Sequence, residues 1–160
     1  MRLSLVAIAA LALFLGPNFL RANWEAPAAA QAAEAQTEAP PRLVAAMFRS
    51  SWCGACRVLE PRVEDVREDF GAAPIGWVKF DFTLGRRDEL RETAEAEGIA
   101  ALYEDFAGRT GFLVLMDRET GQVFEIVTMR YGREEIRAAL ERWLVVTERL
   151  ESVEGMGTDT

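Results

Sequence analysis

Apolar and polar positions follow a succession of distinct periods along the chain, and each period predicts an element. Leu3–Leu15 (LSLVAIAALALFL) is a continuous apolar run with Arg2 before it and Gly16-Pro17 after it. Its length fits the core of a secretion signal and is short for a membrane span. Small-residue stretches at Ala28-Ala29-Ala30 and Ala30-Gln31-Ala32 offer cleavage sites. Residues 1–30 are therefore expected to be a signal peptide, or an N-terminal membrane anchor if uncleaved. Residues 31–41 keep no apolar period and are rich in alanine, proline and small polar groups, as linkers are. A folded domain is expected over 42–152 and a flexible tail over 153–160.

Within the domain, Leu43–Phe48 (LVAAMF) is a short apolar run that predicts a buried strand. From Arg57 to Phe70 apolar residues fall at Val58, Leu59, Val63, Val66 and Phe70, which is helical spacing. Pro61 lies inside that pattern, where it should kink the helix. Ile75–Phe82 (IGWVKFDF) alternates and predicts a second strand. Arg86–Glu97 is charged, with Leu90 and Ala94 on one face, and predicts a surface helix stopped by Gly98. Ile99–Phe106 adds a further helical turn or two. Phe112–Met116 and Gln122–Met129 read as strands joined by a turn at Asp117–Gly121. Arg133–Leu150 is the clearest helix, with the stripe Ile136, Leu140, Trp143, Leu144, Thr147 and Leu150. Glu134 and Glu135 suit its positive N-terminal end. This order predicts an α/β fold: a central mixed four-stranded sheet with helices on both faces. The first two strands should run parallel through a right-handed crossover.

Composition narrows the function. The chain has 160 residues, a net charge of −8, two cysteines and no histidine. An acidic chain with no basic footprint is a poor match for nucleic acid. No glycine-rich phosphate loop is present, and no cofactor is expected. A zinc site needs about four sulfur or imidazole ligands, so no metal is expected either.

The chemistry then falls to FRSSWCGACRVLEPR, residues 48–62, which holds both cysteines, Cys53 and Cys56. They stand between a predicted strand and a predicted helix. A helix N-terminus presents unpaired N–H groups and a partial positive charge. Both stabilise a thiolate, the reacting form in disulfide exchange. Cys53 can attack a substrate disulfide, and Cys56, one turn into the helix, can resolve the mixed disulfide. A passive staple is the plainer alternative, although closing so short a loop gains little chain entropy.

The segment Phe48–Pro61 resembles the thioredoxin active site. An aromatic residue near the strand end is followed by W-C-x-x-C-x-x-x-x-P, matched by Trp52, Cys53, Gly54, Cys56 and Pro61. The resemblance spans residues 42 to 150 and points to the exported bacterial branch of thioredoxin-like thiol–disulfide oxidoreductases. It implies a thioredoxin-like fold, with Cys53 as exposed nucleophile and Cys56 as buried resolving thiol. It also implies that Trp52 packs beside the site and that Pro61 kinks the first helix.

This chain departs from that pattern in three places. The buried acid expected six residues before the first cysteine is Met47, and Asp81 on the neighbouring strand is a candidate substitute in proton relay. The cis-proline loop facing the cysteines falls by register at Thr110-Gly111, with no proline. A trans Thr110–Gly111 peptide close to the sulfurs is therefore expected, as a substrate-binding loop. The stretch between Gly98-Ile99 and Thr110-Gly111 is longer than in a plain thioredoxin, and its Tyr103 and Phe106 are either core residues of an extra turn or part of a partner-selecting lid.

Gly54-Ala55 between the cysteines lacks the charged donor carried by oxidants of this fold, which points to a reductant. The expected partners are protein thiols and disulfides in the periplasm, with a membrane electron donor to recharge the site in an oxidising compartment. The alternative is a non-catalytic thioredoxin-like module that docks or senses the redox state of a periplasmic partner.

Overall fold

The computed structural model describes residues 39–157. The expected signal peptide or anchor (1–30), the linker as far as residue 38 and the end of the expected tail (158–160) lie outside the described residues. In chain order the elements are β1 (Leu43–Arg49), α1 (Gly54–Asp69), β2 (Ile75–Asp81), a 3₁₀ turn (Phe82–Leu84), α2 (Arg87–Ala96), α3 (Ala100–Phe106), β3 (Phe112–Asp117), β4 (Val123–Thr128) and α4 (Arg133–Gly157).

The strands lie in the order β2-β1-β3-β4. β1 runs parallel to β2 and antiparallel to β3, and β3 runs antiparallel to β4. The central strand β1 is covered on both faces, so its residues form a continuous apolar run. Leu43, Ala45 and Met47 point to one face, where α1 contributes Leu59, Val63 and Val66 and α4 contributes Ile136, Ala139 and Leu140. Val44, Ala46 and Phe48 point to the other face, against Ala94 of α2 and Leu102 and Tyr103 of α3. A mixed four-stranded sheet with helices on both faces and this strand order is the thioredoxin-like fold expected from the sequence.

The second face is aromatic. Phe48 lies 4.9 Å from Phe80 and 5.2 Å from Phe112, ring centre to ring centre, and Tyr103 lies 5.3 Å from Phe80. Such pairs add about 0.5–1.5 kcal/mol each beyond the area they bury. Tyr103 is fully buried, and Phe106 packs against Phe48 and Phe112. Tyr103 is therefore a core residue, and Phe106, partly buried, packs against the same cluster. Gly98, at φ 69°, ends α2 in a conformation that costs glycine little, and α3 starts two residues later.

α1 begins at Gly54, with Cys53 as its cap, as the placement of the cysteines at a helix start implies. Past Gly98 the expected helical turns form a helix of their own, Ala100–Phe106. One boundary differs more. α4 runs past Leu150 to Gly157, so the expected tail is helical over 153–157. A long-range anchor accompanies that extension. The buried Arg42 guanidinium makes two 2.9 Å bonds to the buried Asp117 carboxylate and a third, of 2.5 Å, to Glu154 near the end of α4.

Candidate active site

The loop that leaves β1 sets the site. Ser50 and Ser51 carry the chain off the end of the strand, and Cys53 becomes the N-cap of α1, with φ −77° and ψ 111°. An N-cap side chain accepts a bond from one of the first free N–H groups of the helix. Here that acceptor is sulfur, since the Cys56 N–H donates to Cys53 Sγ at 3.1 Å. Cys53 and Cys56 are joined as a disulfide, with Cα atoms 5.2 Å apart. Cys53 is 9% exposed and Cys56 1% exposed. Cys53 is thus the more open of the two, and a helix-start N–H aimed at a sulfur is a contact of the kind that favours a thiolate. The arrangement can therefore open by attack at the outer sulfur and close again by attack from the inner one.

Trp52 flanks the disulfide and is 63% exposed, so it stands out from the surface beside the site rather than packing under it. Gly54 is exposed, and a Cβ placed there would meet nothing within 4 Å. Ala55 is half-buried, and Pro61 lies inside α1 without ending it. Because proline has no N–H, the Arg57 carbonyl loses its helical partner at that point.

Gly111 closes the other side. The described residues contain no cis peptide, so Thr110–Gly111 is trans. The Gly111 N–H donates to the Phe48 carbonyl at 2.8 Å, prolonging the β1–β3 ladder toward the cysteines. A Cβ added to Gly111 would lie 3.0 Å from Ala55 Cβ and 3.3 Å from Cys53 Sγ, and its φ is +103°. The backbone at this position lies directly on the disulfide, an approach that requires glycine. Thr110, half-buried, is the next residue outward.

Asp81 is engaged by other partners. It ends β2, pairs in register with Arg49, and caps the 3₁₀ turn through the Thr83 N–H at 2.9 Å. Its other carboxylate oxygen accepts from Arg49 at 2.5 Å. Burial opposes its ionisation, yet the bonds from Thr83 and Arg49 hold its carboxyl below the ordinary aspartate range. Asp81 makes no hydrogen bond to either cysteine. Met47 is buried, and a small cavity of about 30 Å³ opens between it, Glu60, Glu64, Trp77 and Lys79.

Two features of this neighbourhood escape the sequence reading. Glu60, one helical turn after Cys56, bridges Arg49 at 3.1 Å and Lys79 at 3.2 Å, tying α1 to β1 and β2. The four-residue spacing from Cys56 was available as a signal; the two cations that meet it come from separate strands and carry none. Ser50 is 1% exposed, and its hydroxyl is the one buried side-chain polar atom without a partner among the described residues.

No protein-family model matches the chain, and no curated protein matches it. Solved structures do. A thioredoxin-like protein from Edwardsiella tarda is 18% identical, with 68% of this chain and 91% of that one covered and a TM-score of 0.43. A mutant thioredoxin from Halobacterium salinarum is 27% identical, with 64% and 75% covered and a TM-score of 0.40. The thioredoxin of Fasciola hepatica is 22% identical, with 71% and 92% covered and a TM-score of 0.39. The assignment of the fold rests on the chain's own strand order and helix placement; the likenesses accompany it.

Proposed function

We propose that this protein is a thiol–disulfide oxidoreductase that exchanges the Cys53–Cys56 disulfide with protein substrates and works as a reductant. One observation carries the reading. Cys53 Sγ is the N-cap acceptor of α1, and Cys53, 9% exposed, is the more open of the two cysteines, with Cys56 1% exposed behind it. A passive staple has no need of a reactive sulfur at a helix N-terminus between an exposed tryptophan and a bare glycine backbone. Gly54-Ala55 supplies no charged donor to stabilise the reduced form, which favours a low potential and hence reduction of clients. The apolar run Leu3–Leu15 supports export, with the domain acting on periplasmic thiols and disulfides and drawing electrons from a membrane donor.

The test is the reduction potential of the couple, read by Trp52 fluorescence in dithiothreitol or glutathione buffers. A value near about −270 mV supports a reductant, whereas one near about −120 mV reverses the direction. Turnover of insulin-like disulfides with dithiothreitol should vanish in Cys53→Ser; turnover that survives would sink the reading. Fractionation of cells expressing the full chain tests export separately.

A further inference from the structure

The charges of the molecule are sorted by end. Phe48, Phe112 and Thr128 are in register, as are Arg49 and Asp81, so the loops following β1, β2 and β4 and the loop before β3 share the Cys53 end of the sheet. On those loops and helix starts stand Arg57, Arg87, Arg109 and Arg130, all exposed. None has a carboxylate partner among the described residues. Arg109 reaches only the Asp105 carbonyl and the face of Phe106, 4.9 Å from the ring centre. Arg62 spends its guanidinium on the Met129 and Tyr131 carbonyls, at 2.9 and 2.7 Å, which fixes the loop that carries Arg130.

Most acids of the same rim already have a cation, although some share one. Asp81 pairs with Arg49, which also holds Glu60; Asp88 and Glu104 share Arg91; Glu89 pairs with Arg86; and Glu134 pairs with Arg137, which also holds Asp69. Asp105 has no cation, and Glu135 bonds the Gly132 N–H. α1, α2 and α4 also begin at this end, which adds their positive N-terminal dipoles. Among the described residues, more exposed carboxylates without cations stand toward the other end: Glu68, Glu95, Glu119, Glu148 and Glu151, against the single unpaired Arg149 there, with Glu92 and Glu141 midway along their helices. A chain of net charge −8 thus turns an excess of cations toward its disulfide.

We infer that this rim is a docking surface for acidic polypeptide, and that the clients present a disulfide flanked by Asp and Glu. The inference rests on the proposed oxidoreductase function and specifies its partner. In the step it serves, the Cys53 thiolate attacks one sulfur of the client disulfide, and the other leaves as thiolate and takes up a proton. The Cys56 thiolate then attacks Cys53 Sγ, releasing the client dithiol and closing Cys53–Cys56. Two electrons pass to the client, and a dithiol reductant restores the protein. Opposite charge on the flanks raises the encounter rate, and salt removes that gain within a Debye length of about 8 Å at physiological ionic strength.

The test uses full-chain protein reduced with dithiothreitol and single-turnover stopped flow on Trp52. The substrates are two disulfide-looped peptides, identical except for Asp/Glu or Lys flanks, and the uncharged disulfide of 2-mercaptoethanol. The acidic peptide is expected to react about tenfold faster than the basic one at low ionic strength, with the gap closing at high salt. Arg109→Gln/Arg130→Gln should slow the acidic peptide severalfold and leave the uncharged disulfide unaffected. Equal peptide rates, or a faster basic peptide, overturn the docking surface while the oxidoreductase stands. Failure to react with any of the three disulfides overturns both.

Discussion

Gly111 is where side-chain volume meets chemistry most directly. Alanine there would place a methyl 3.3 Å from Cys53 Sγ at φ +103°. Backbone strain of this kind costs about 1–3 kcal/mol. Gly111→Ala is expected to lower the urea midpoint and to slow exchange with protein disulfides. Ser50 works in the opposite sense. A buried hydroxyl without a partner costs about 1–3 kcal/mol, so Ser50→Ala should be neutral or stabilising in the oxidised protein, as read by urea denaturation. For Asp81, the carboxylate is held ionised by Thr83 and Arg49 and is a weak base toward a thiol. Asp81→Asn should therefore leave the rate of Cys56 resolution unchanged between pH 6 and 9. A rate that collapses at the low end of that range would restore Asp81 as proton acceptor.

Among the elements, α4 is held by contacts of unequal worth. Arg42 and Asp117 are both buried and doubly bonded, whereas Glu154 is 62% exposed at its side chain. Removing one partner of a buried pair costs about 3–5 kcal/mol, so Asp117→Asn should destabilise the whole domain. Glu154→Gln should cost under about 1 kcal/mol and fray only the last turns of α4, visible as faster amide exchange there. This pair also explains what the sequence concealed. Residues 151–157 have no apolar stripe, and their helix is anchored by an arginine 112 positions away. The start of α1 was legible only through its chemistry: Gly54-Ala55-Cys56 has no periodicity, and its cap is a sulfur rather than Ser, Thr, Asp or Asn. Strands β1 to β4, by contrast, were legible because burial on one or both faces writes itself directly as alternation or as an apolar run. The cysteines were legible for chemical reasons, and Trp52 and the Gly111 approach only through the resemblance to the thioredoxin active site; the Arg49–Glu60–Lys79 bridge, made across three elements, was not.

At the scale of the molecule, acid sensitivity follows from the carboxylates. Burial works against the ionised Asp117, but bonds from Arg42, Thr120 and Glu119 hold it below the ordinary range. The Lys79 bond lowers Glu64, and Trp143, Arg142 and Tyr131 outweigh burial to lower Glu125. Groups with depressed folded values contribute stability above the unfolded carboxylate range near pH 4 and lose it as pH falls through the folded values. With no histidine, and with both cysteines in a disulfide, little titrates in between. The urea midpoint of the oxidised protein should be flat from pH 5 to 8 and fall steeply below pH 4. A midpoint that varies across pH 5 to 8 would contradict this. Lys79 has a bearing on handling the protein as well. It is the sole lysine in the chain, and although burial works against its charge, Glu64 and Glu60 raise its pKa above the ordinary lysine value. Acylating reagents attack only the unprotonated amine, so Lys79 should react slowly near neutral pH and leave the α-amino group as the preferred point of attachment for a fluorophore or a solid support.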